Sequence, residues 1–254
     1  MSPLNTFSRP SSLAAACSLL KRDANRVPLA GGTFLAAHMP SSAAGIVDLS
    51  GLGLEYVRKA GPAVAVGAMT TVDAMARSKA LGPLAPLCND VATQPLRNMI
   101  TVGGNVMMPF KWSDLPLLCT VLDASFVLCA PKPRVVSAEA LFAGPPRRML
   151  KPGELLTEVR FEGLAAKRIA RKKLVRAYDD VPALHIAVAA TFARRKPRDI
   201  RIALVAGNAL PKRIAAAESV LVASGCSPSS IPDAAAAASE SDAPKDYRFS
   251  AAYV

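Results

Sequence analysis

Two pairs of adjacent glycines, each at the end of a short apolar run, constrain this chain more than any other feature. Residues 27–30 lead into Gly31-Gly32, and residues 99–102 lead into Gly103-Gly104. Glycine adopts left-handed backbone conformations without the steric cost of a Cβ atom, so a glycine pair after an apolar run is typical of a strand that ends in a tight turn. The sequence therefore predicts two strand-to-turn junctions, the second within a strand over residues 99–105.

Strand-like and helix-like segments alternate along the rest of the chain without an internal repeat, which predicts an α+β fold. The expected strands cover residues 27–30, 46–49, 63–69, 99–105, 124–130, 155–161, 184–193 and 200–206, the last two as a hairpin. The expected helices cover residues 12–22, 71–80, 84–91, 115–122, 212–224 and 234–239. Ser12 and Thr71 are placed to cap the first two helices.

The composition indicates a folded protein with a substantial core. Of 254 residues, 51% are hydrophobic, which excludes a disordered chain. No apolar run reaches the roughly 18–20 residues that span a bilayer, and residues 12–20 lack the flanking features of a secretion signal. Five cysteines occur without a C-x-x-C spacing, which predicts free thiols and argues against a metal or iron–sulfur site in this chain. We expect a cytoplasmic protein without a membrane span.

The net charge of +12 favours acidic partners. The basic residues concentrate at 167–176 and 194–201. Three interpretations of this charge stay open: a solvated face, an interface with an acidic subunit, or a nucleic-acid surface. No zinc-finger, helix-turn-helix or aromatic-interleaved basic pattern accompanies the charge, so we do not expect nucleic acid as a partner.

Each glycine turn is a candidate phosphate site. Without side chains in the way, an anion can approach the backbone and successive N–H groups can converge on it. Thr33 or Thr101 can add a hydroxyl, and Asn105 an amide. The alternative is that each pair only satisfies the backbone geometry of a turn. Neither pair fits G-x-G-x-x-G or G-x-x-x-x-G-K-[ST], so an ordinary Rossmann site and a P-loop are excluded.

The segment around each glycine pair is similar to a flavin loop of one known family. Leu29-Ala30-Gly31-Gly32-Thr33 resembles the first flavin loop of the FAD-binding subunits of molybdenum hydroxylases, the medium subunits of the xanthine dehydrogenase and carbon monoxide dehydrogenase type. Residues 94–105 resemble the second loop, Q-x-R-N-x-x-T-[IV]-G-G-N, with two residues instead of one between Gln94 and Arg97. Further similar segments follow in chain order at residues 9–13, 66–71, 113–116, 150–159, 211–213, 218 and 247–248.

The resemblance covers nearly the whole chain and implies its domain organisation. A two-lobed PCMH-type FAD-binding domain is expected over residues 1–162, with lobe one at about 1–52 and lobe two at about 53–162. An α+β C-terminal domain of the carbon monoxide dehydrogenase flavoprotein type is expected over residues 163–254.

The resemblance also implies which residues bind FAD. Asp114 would hydrogen-bond polar atoms of the flavin; from the sequence alone it is equally a helix cap. Lys173 would correspond to a family lysine near the flavin, or else belong to a solvated basic face. The full implied set is Leu29, Ala30, Gly31, Gly32, Thr33, Phe34, Thr101, Gly103, Gly104, Asn105, Asp114 and Lys173.

Several residues depart from the family pattern. Phe34 replaces a polar residue, residues 110–112 (Phe, Lys, Trp) replace small ones, and Val181 stands where some members have an aromatic residue. His38 follows the first loop, and we interpret it as structural rather than as a covalent flavin attachment. His185 lies in an apolar strand, where we expect a core residue with its hydrogen bonds satisfied.

The resemblance implies an electron-transfer function. Substrate would be oxidised at a molybdopterin-binding large subunit, and electrons would pass through [2Fe–2S] clusters of a small subunit to FAD in this chain and on to NAD or another acceptor. We find no acid–base constellation for catalysis by this chain itself. Two alternatives stay open: a basic anion- or nucleic-acid-binding protein without redox activity, and a stand-alone flavin oxidoreductase.

Overall fold

The computed structural model of the protein describes residues 6–110, 112–130, 132–177, 180–194, 196–206 and 210–239. The similar segment at residues 247–248 and Lys111 lie outside the described residues. The described strands are β1 (Thr6–Ser8), β2 (Arg26–Leu29), β3 (Gly45–Asp48), β4 (Val57–Ala60), β5 (Ala63–Gly67), β6 (Ser125–Cys129), β7 (Pro133–Ser137), β8 (Leu155–Glu162), β9 (Lys167–Leu174), β10 (Leu184–Ala193), β11 (Lys196–Ala206) and β12 (Lys212–Arg213).

The described helices lie between and around these strands. They are α1 (Leu13–Arg22), α2 (Val72–Arg77), α3 (Ala85–Cys88), α4 (Gln94–Arg97), α5 (Val102–Met107), α6 (Asp114–Val121), α7 (Ala138–Phe142), α8 (Ala215–Ala223) and α9 (Ile231–Ser239). Short 3-10 turns occur at Ser50–Leu52, Lys79–Leu84, Pro146–Met149, Leu164–Ala166 and Pro228–Ser230. Within the described residues, no helix combines the length and the apolar character that crossing a bilayer requires.

The described residues form three sheets. The first is parallel, in the order β1-β3-β2, and α1 packs against it through Ala16 and Cys17. The second is antiparallel, in the order β4-β5-β8-β6-β7, and carries α2 to α7. The third is antiparallel, in the order β12-β11-β10-β9, with α8 and α9 against it. The mixed helix-and-sheet architecture agrees with the predicted α+β class.

Helix α6 lies at the centre of the molecule, and all eight of its residues are buried. A helix that is apolar on every side must be covered on every side. The C-terminal sheet contributes to that cover, because β10 presents the small residues Ala187 and Ala189 to the same core. The opposite face of β10, with Ile186 and Val188, packs against the cluster that holds α8 and α9. The sheet is therefore buried on two faces and joined to the second lobe by a continuous core.

Most sequence-predicted elements are confirmed, including the Ser12 cap of α1, the Thr71 cap of α2 and the hairpin of β10 with β11. The helix predicted over residues 84–91 is wrong in extent, because Leu84 belongs to a 3-10 turn and the helix α3 ends at Cys88, with Asn89 as its C-cap. Strand β9 was not predicted, because its basic residues resemble a solvated run. In the structure, Arg171 and Lys173 point inward while Leu174 is exposed.

The burial of α6 predicts a large stability loss when its packing is reduced. Leu118 is fully buried, and replacing it with alanine leaves a cavity beside the C-terminal sheet. We expect Leu118→Ala to lower the free energy of unfolding by about 2–5 kcal/mol in urea titrations followed by circular dichroism. Leu174→Ala is the matched control, since Leu174 is 40% exposed and its truncation should cost less than about 0.5 kcal/mol. Equal losses in the two variants would contradict the packing described here.

Candidate functional site

The two glycine turns lie in direct contact. A Cβ atom built on Gly31 would lie 1.7 Å from the carbonyl oxygen of Met99 and 3.4 Å from the backbone nitrogen of Thr101. No side chain larger than hydrogen fits there without moving the backbone of the second turn. We call residues 29–34 loop one and residues 99–105 loop two. Loop one follows a strand of the first sheet, loop two runs into the first turn of α5, and Gly31 lets them meet.

Loop one presents backbone N–H groups that the described residues leave free. Gly32 has a positive φ of 72°, which turns the chain sharply after β2. Its carbonyl accepts a hydrogen bond from Ala36, and the carbonyl of Phe34 accepts from Ala37 and His38. Among the described residues, no acceptor is found for the N–H groups of residues 31–35. Unpaired donors around a left-handed glycine are what an anion-binding nest requires.

Loop two is built differently, and its predicted strand is wrong. Thr101 caps α5, which begins at Val102, so Gly103 and Gly104 lie in the first turn of a helix. The N–H groups of Val102 and Gly103 donate to the carbonyls of Thr70 (2.9 Å) and Ala68 (2.8 Å). Those of Gly104 and Asn105 donate to Oγ1 (3.2 Å) and the carbonyl (3.0 Å) of Thr101. Loop two therefore does not supply the second backbone nest that the sequence suggested.

Loop two instead contributes a side chain that lacks a partner. The Oδ1 atom of Asn105 is buried, and no described residue donates a hydrogen bond to it. A buried acceptor without a donor costs free energy unless a ligand or water supplies one. Beside it, Gly104 is exposed and adds no side-chain bulk. A ligand that carries an anion for loop one and a hydroxyl or N–H group for Asn105 matches these donors and acceptors.

Asp114 lies at the start of α6 and is 1% exposed. Ser113, not Asp114, is the capping residue of the helix, although its side chain makes no capping hydrogen bond. Nη1 of Arg171 lies 2.5 Å from Oδ1 of Asp114, and Nζ of Lys173 lies 3.0 Å from Oδ2. Asp90 completes the group, since its carboxylate is 3.0 Å from Nη2 of Arg171. We call Asp90, Asp114, Arg171, Lys173 and His185 the interdomain charge cluster, because it joins the second lobe to the C-terminal sheet.

The charges in this cluster determine its protonation states. Burial by itself raises the pKa of the Asp114 carboxyl, but contact with His185 and the charges of Arg171 and Lys173 outweigh burial, so the pKa lies below its ordinary value. Burial lowers the pKa of His185 and outweighs the opposing effect of Asp114. These shifts favour an ionised Asp114 next to a neutral imidazole at His185.

His185 is fully buried, as expected, but its hydrogen bonds are not satisfied. Its Nε2 atom lies 3.1 Å from Oδ1 of Asp114 without the alignment of a well-formed hydrogen bond. Neither ring nitrogen has a hydrogen-bond partner among the described residues. The prediction of a satisfied core histidine is therefore wrong in that respect, because the ring approaches Asp114 without the alignment that a hydrogen bond requires.

The predicted site residues thus fall into two groups. Loops one and two are together, and Asp114 and Lys173 are together. Between them lies a row of aromatic rings that begins at His38, passes through Phe34 of loop one and Phe110, and ends at Trp112, next to the start of α6. His38 and Phe34 are stacked at 4.5 Å, Phe34 and Phe110 are tilted at 5.0 Å, and Phe110 and Trp112 are stacked at 4.6 Å.

Sequence reasoning missed three contributors to this region. Arg171 and His185 were not linked to Asp114, because the pairing depends on how β9 and β10 lie against α6. The contact between Phe110 and Phe34 was also missed, although both residues had been noted as departures from the family pattern. The available signal was an unusual aromatic residue in loop one, Phe34, and another five residues after loop two, Phe110.

Comparison with known proteins decides the family. Residues 3–161 match the model of the FAD-binding domain in molybdopterin dehydrogenase, and residues 169–253 match the C-terminal domain of carbon monoxide dehydrogenase flavoprotein. The chain belongs to the molybdopterin dehydrogenase FAD-binding family. It is an oxidoreductase component with a FAD-binding domain, as the resemblance implied.

Relatives within the molybdopterin dehydrogenase family are medium chains of several enzymes. The carbon monoxide dehydrogenase medium chain of Afipia carboxidovorans is 34% identical over 182 residues, which are 65% of this chain and 63% of that relative. The glyceraldehyde dehydrogenase medium chain of Sulfolobus acidocaldarius is 27% identical over 261 residues, covering 99% of this chain and 93% of that relative.

Solved structures of the family share the fold. Carbon monoxide dehydrogenase from Hydrogenophaga pseudoflava, in a form that lacks the Mo-pyranopterin moiety, superimposes with a TM-score of 0.91 at 28% identity over 100% of this chain and 92% of that chain. A cyanide-inactivated Cu,Mo-CO dehydrogenase gives a TM-score of 0.89 at 31% identity over 98% and 91% of the two chains.

The neutral, buried His185 predicts a specific pH dependence of stability. Its pKa is lowered in the folded state, so below the ordinary value of 6.5 the unfolded chain binds the proton more readily. We expect the free energy of unfolding to fall as the pH drops from 6.5 towards 5, a window in which most carboxyl groups remain ionised. His185→Gln should remove most of that fall in urea titrations across the pH range.

His38→Gln is the matched control, since His38 and His185 are the chain's two histidines and His38 is exposed. It should leave the pH dependence as it is in the parent chain. A pH profile that His185→Gln leaves unchanged would contradict a buried neutral imidazole.

Proposed function

We propose that this chain is the FAD-binding, electron-transfer subunit of a molybdenum hydroxylase complex, which receives electrons from partner iron–sulfur clusters and passes them to an external acceptor. One observation carries the proposal. Gly31 brings loop one, with its run of free N–H groups, against loop two, with the unpartnered Oδ1 of Asn105. This arrangement has the donors for a diphosphate and an acceptor for a hydroxyl, as a dinucleotide requires.

The residues present fit FAD, and each loop has a separate task. The N–H groups of Gly31, Gly32, Thr33 and Phe34 in loop one hold the diphosphate, and Leu29 and Ala30 set the direction in which loop one leaves β2. In loop two, Asn105 accepts from a hydroxyl of the ligand, while Thr101, Gly103 and Gly104 keep the backbone close and free of bulk. When bound, FAD supplies one- and two-electron redox chemistry.

Asp114 and Lys173 contribute through charge. The side chain of Lys173 is 26% exposed, whereas that of Asp114 is 2% exposed. A direct hydrogen bond from Asp114 to the flavin stays a prediction, and it requires Arg171 or Lys173 to give up part of the carboxylate. The contacts in hand favour a positioning role, in which Asp114 holds Lys173 towards the ligand.

We further propose that this chain assembles with a molybdopterin-binding large subunit and an iron–sulfur small subunit. Its relatives include medium chains or subunits of enzymes, which supports assembly with other subunits. The net charge of +12 supports an interface with acidic partners. NAD is a candidate acceptor. We retain the cytoplasm as location and the domain boundary between residues 162 and 163 as parts of the same proposal.

The stand-alone oxidoreductase alternative receives less support from the site. It needs an acid or base that can reach a substrate. His185 is fully buried, and His38 is stacked on Phe34 with Nδ1 3.3 Å from the carbonyl of Phe34. Electron transfer through a bound flavin needs no such group, which agrees with the composition of the site.

FAD binding tests the proposal directly. Gly32→Asp places a carboxylate among the free N–H groups of loop one, so the negative charge competes with the diphosphate. We expect the purified parent chain to take up FAD and show a flavin absorbance spectrum, and Gly32→Asp to weaken FAD binding by roughly a hundredfold or more in titration calorimetry.

Gly144→Asp is the matched control, because nothing lies within 4 Å of a Cβ at Gly144 and its φ is not positive. It should bind FAD like the parent chain. A folded parent chain that takes up no FAD would overturn the proposed function.

The partner interface can be tested by charge reversal. Arg168 and Lys172 are exposed on β9, an edge strand of the C-terminal sheet. We expect Arg168→Glu with Lys172→Glu to weaken assembly with the partner subunits in co-purification, and the parent's assembly to weaken as salt is raised. Lys21→Glu with Arg22→Glu, the same charge change on α1, is the control. Equal assembly in both double variants would argue against β9 as the interface.

A further inference from the structure

The aromatic row of His38, Phe34, Phe110 and Trp112 is not explained by the diphosphate site. It begins at His38, just after loop one, passes through Phe34 to Phe110, and ends at Trp112. The rings at both ends are parallel to their neighbours within 4°. The row therefore joins the anion-binding loop to the segment before α6 by ring contacts alone.

Two hydrogen bonds between Phe110 and Ser113 hold Trp112 in its position within this row. The N–H group of Phe110 donates to Oγ of Ser113 at 3.0 Å, and the N–H group of Ser113 donates back to the carbonyl of Phe110 at 2.8 Å. Trp112 lies within this closed turn. Phe110 stacks on one face of its indole ring, and the residue remains 46% exposed, which leaves surface for a further ring to contact.

A half-exposed indole ring beside an anion site has the chemistry of a ring-stacking surface. Large aromatic side chains bury most of their area unless a partner covers them, and stacked planar rings gain free energy beyond the area that they bury. Loop one holds a diphosphate in the proposed function, and a flavin dinucleotide carries a planar ring on each side of that diphosphate. Trp112 is linked to loop one by two ring contacts, from Phe34 to Phe110 and from Phe110 to Trp112.

We propose that Trp112 is a flavin-contacting residue, whose exposed surface stacks against the isoalloxazine ring of FAD bound at loops one and two. This inference rests on the proposed function. The isoalloxazine ring is favoured over the adenine because electrons must enter and leave it, and a ring stacked on a half-exposed tryptophan keeps an edge at the surface.

Trp112 is the chain's one tryptophan, which makes the contact measurable. A tryptophan in contact with isoalloxazine quenches flavin fluorescence by electron transfer, which neither leucine nor phenylalanine does. With FAD-loaded protein excited in the flavin band, we expect weak flavin fluorescence in the parent chain and several-fold brighter emission in Trp112→Leu and Trp112→Phe. The affinity for FAD should fall about tenfold in Trp112→Leu and recover in Trp112→Phe, because phenylalanine still stacks.

Phe192→Leu is the matched control, since Phe192 lies in the β10–β11 hairpin and is 47% exposed. It should change neither affinity nor emission.

Unchanged flavin emission in Trp112→Leu would overturn the inference while leaving the proposed function intact. Tighter FAD binding by Trp112→Leu would also overturn it, since the row would then obstruct the site. A loss of ADP affinity in Trp112→Leu would assign the stacked ring to adenine instead. Failure of the parent chain to bind FAD would reject the proposed function itself.

Discussion

The contact between Gly31 and the carbonyl of Met99 is the constraint on which the site depends. A distance of 1.7 Å from a hypothetical Cβ to that oxygen means that any other residue separates the two loops. Separation would move the N–H groups of loop one away from Asn105 and break the ring contact of Phe34 with Phe110. The absence of one side chain therefore determines whether the turn after the parallel sheet can contact the helix that packs on the antiparallel sheet.

The two loops differ in whether their backbone N–H groups are already hydrogen-bonded within the protein. Loop two is held by hydrogen bonds to Ala68 and Thr70 and by its own Thr101 cap. Its backbone is therefore rigid, and its N–H groups already have acceptors. In loop one, the carbonyl groups of Gly32 and Phe34 accept hydrogen bonds from the following turn, and the N–H groups find no acceptor among the described residues. A rigid loop two opposite the free N–H groups of loop one suits a ligand that carries an anionic group between polar groups. The interdomain charge cluster then adds positive charge at Lys173 while its carboxylates keep Arg171 and Lys173 ordered.

The fold could be predicted from the sequence where local signals and burial agree. Ser12 and Thr71 are capping residues that precede apolar helices, and the long apolar strands β10 and β11 flank a polar link, so these elements were correctly predicted. Residues 99–105 misled the prediction because an apolar run with two glycines is also the first turn of a helix packed against Ala68. Strand β9 misled it because its charged residues face inward, and inward charge is recognisable only once Asp114 is known to lie opposite.

The site was predictable in its loops but not in its contacts. The glycine pairs and the family resemblance pointed to the two segments that the structure brings into contact, since those signals lie within short segments of sequence. The partners of Asp114 and the row from His38 to Trp112 come from residues far apart in the chain, and only tertiary packing brings them together.

Backbone amide hydrogen exchange at single-residue resolution, with and without FAD, tests the division between the loops most directly. The account predicts that the amides of residues 31–35 exchange rapidly in the free protein and slow markedly when FAD is added, because their donors become paired. The amides of residues 103–105 should be protected in both states. Protection that FAD leaves unchanged at residues 31–35, in a protein that has bound FAD, would contradict it.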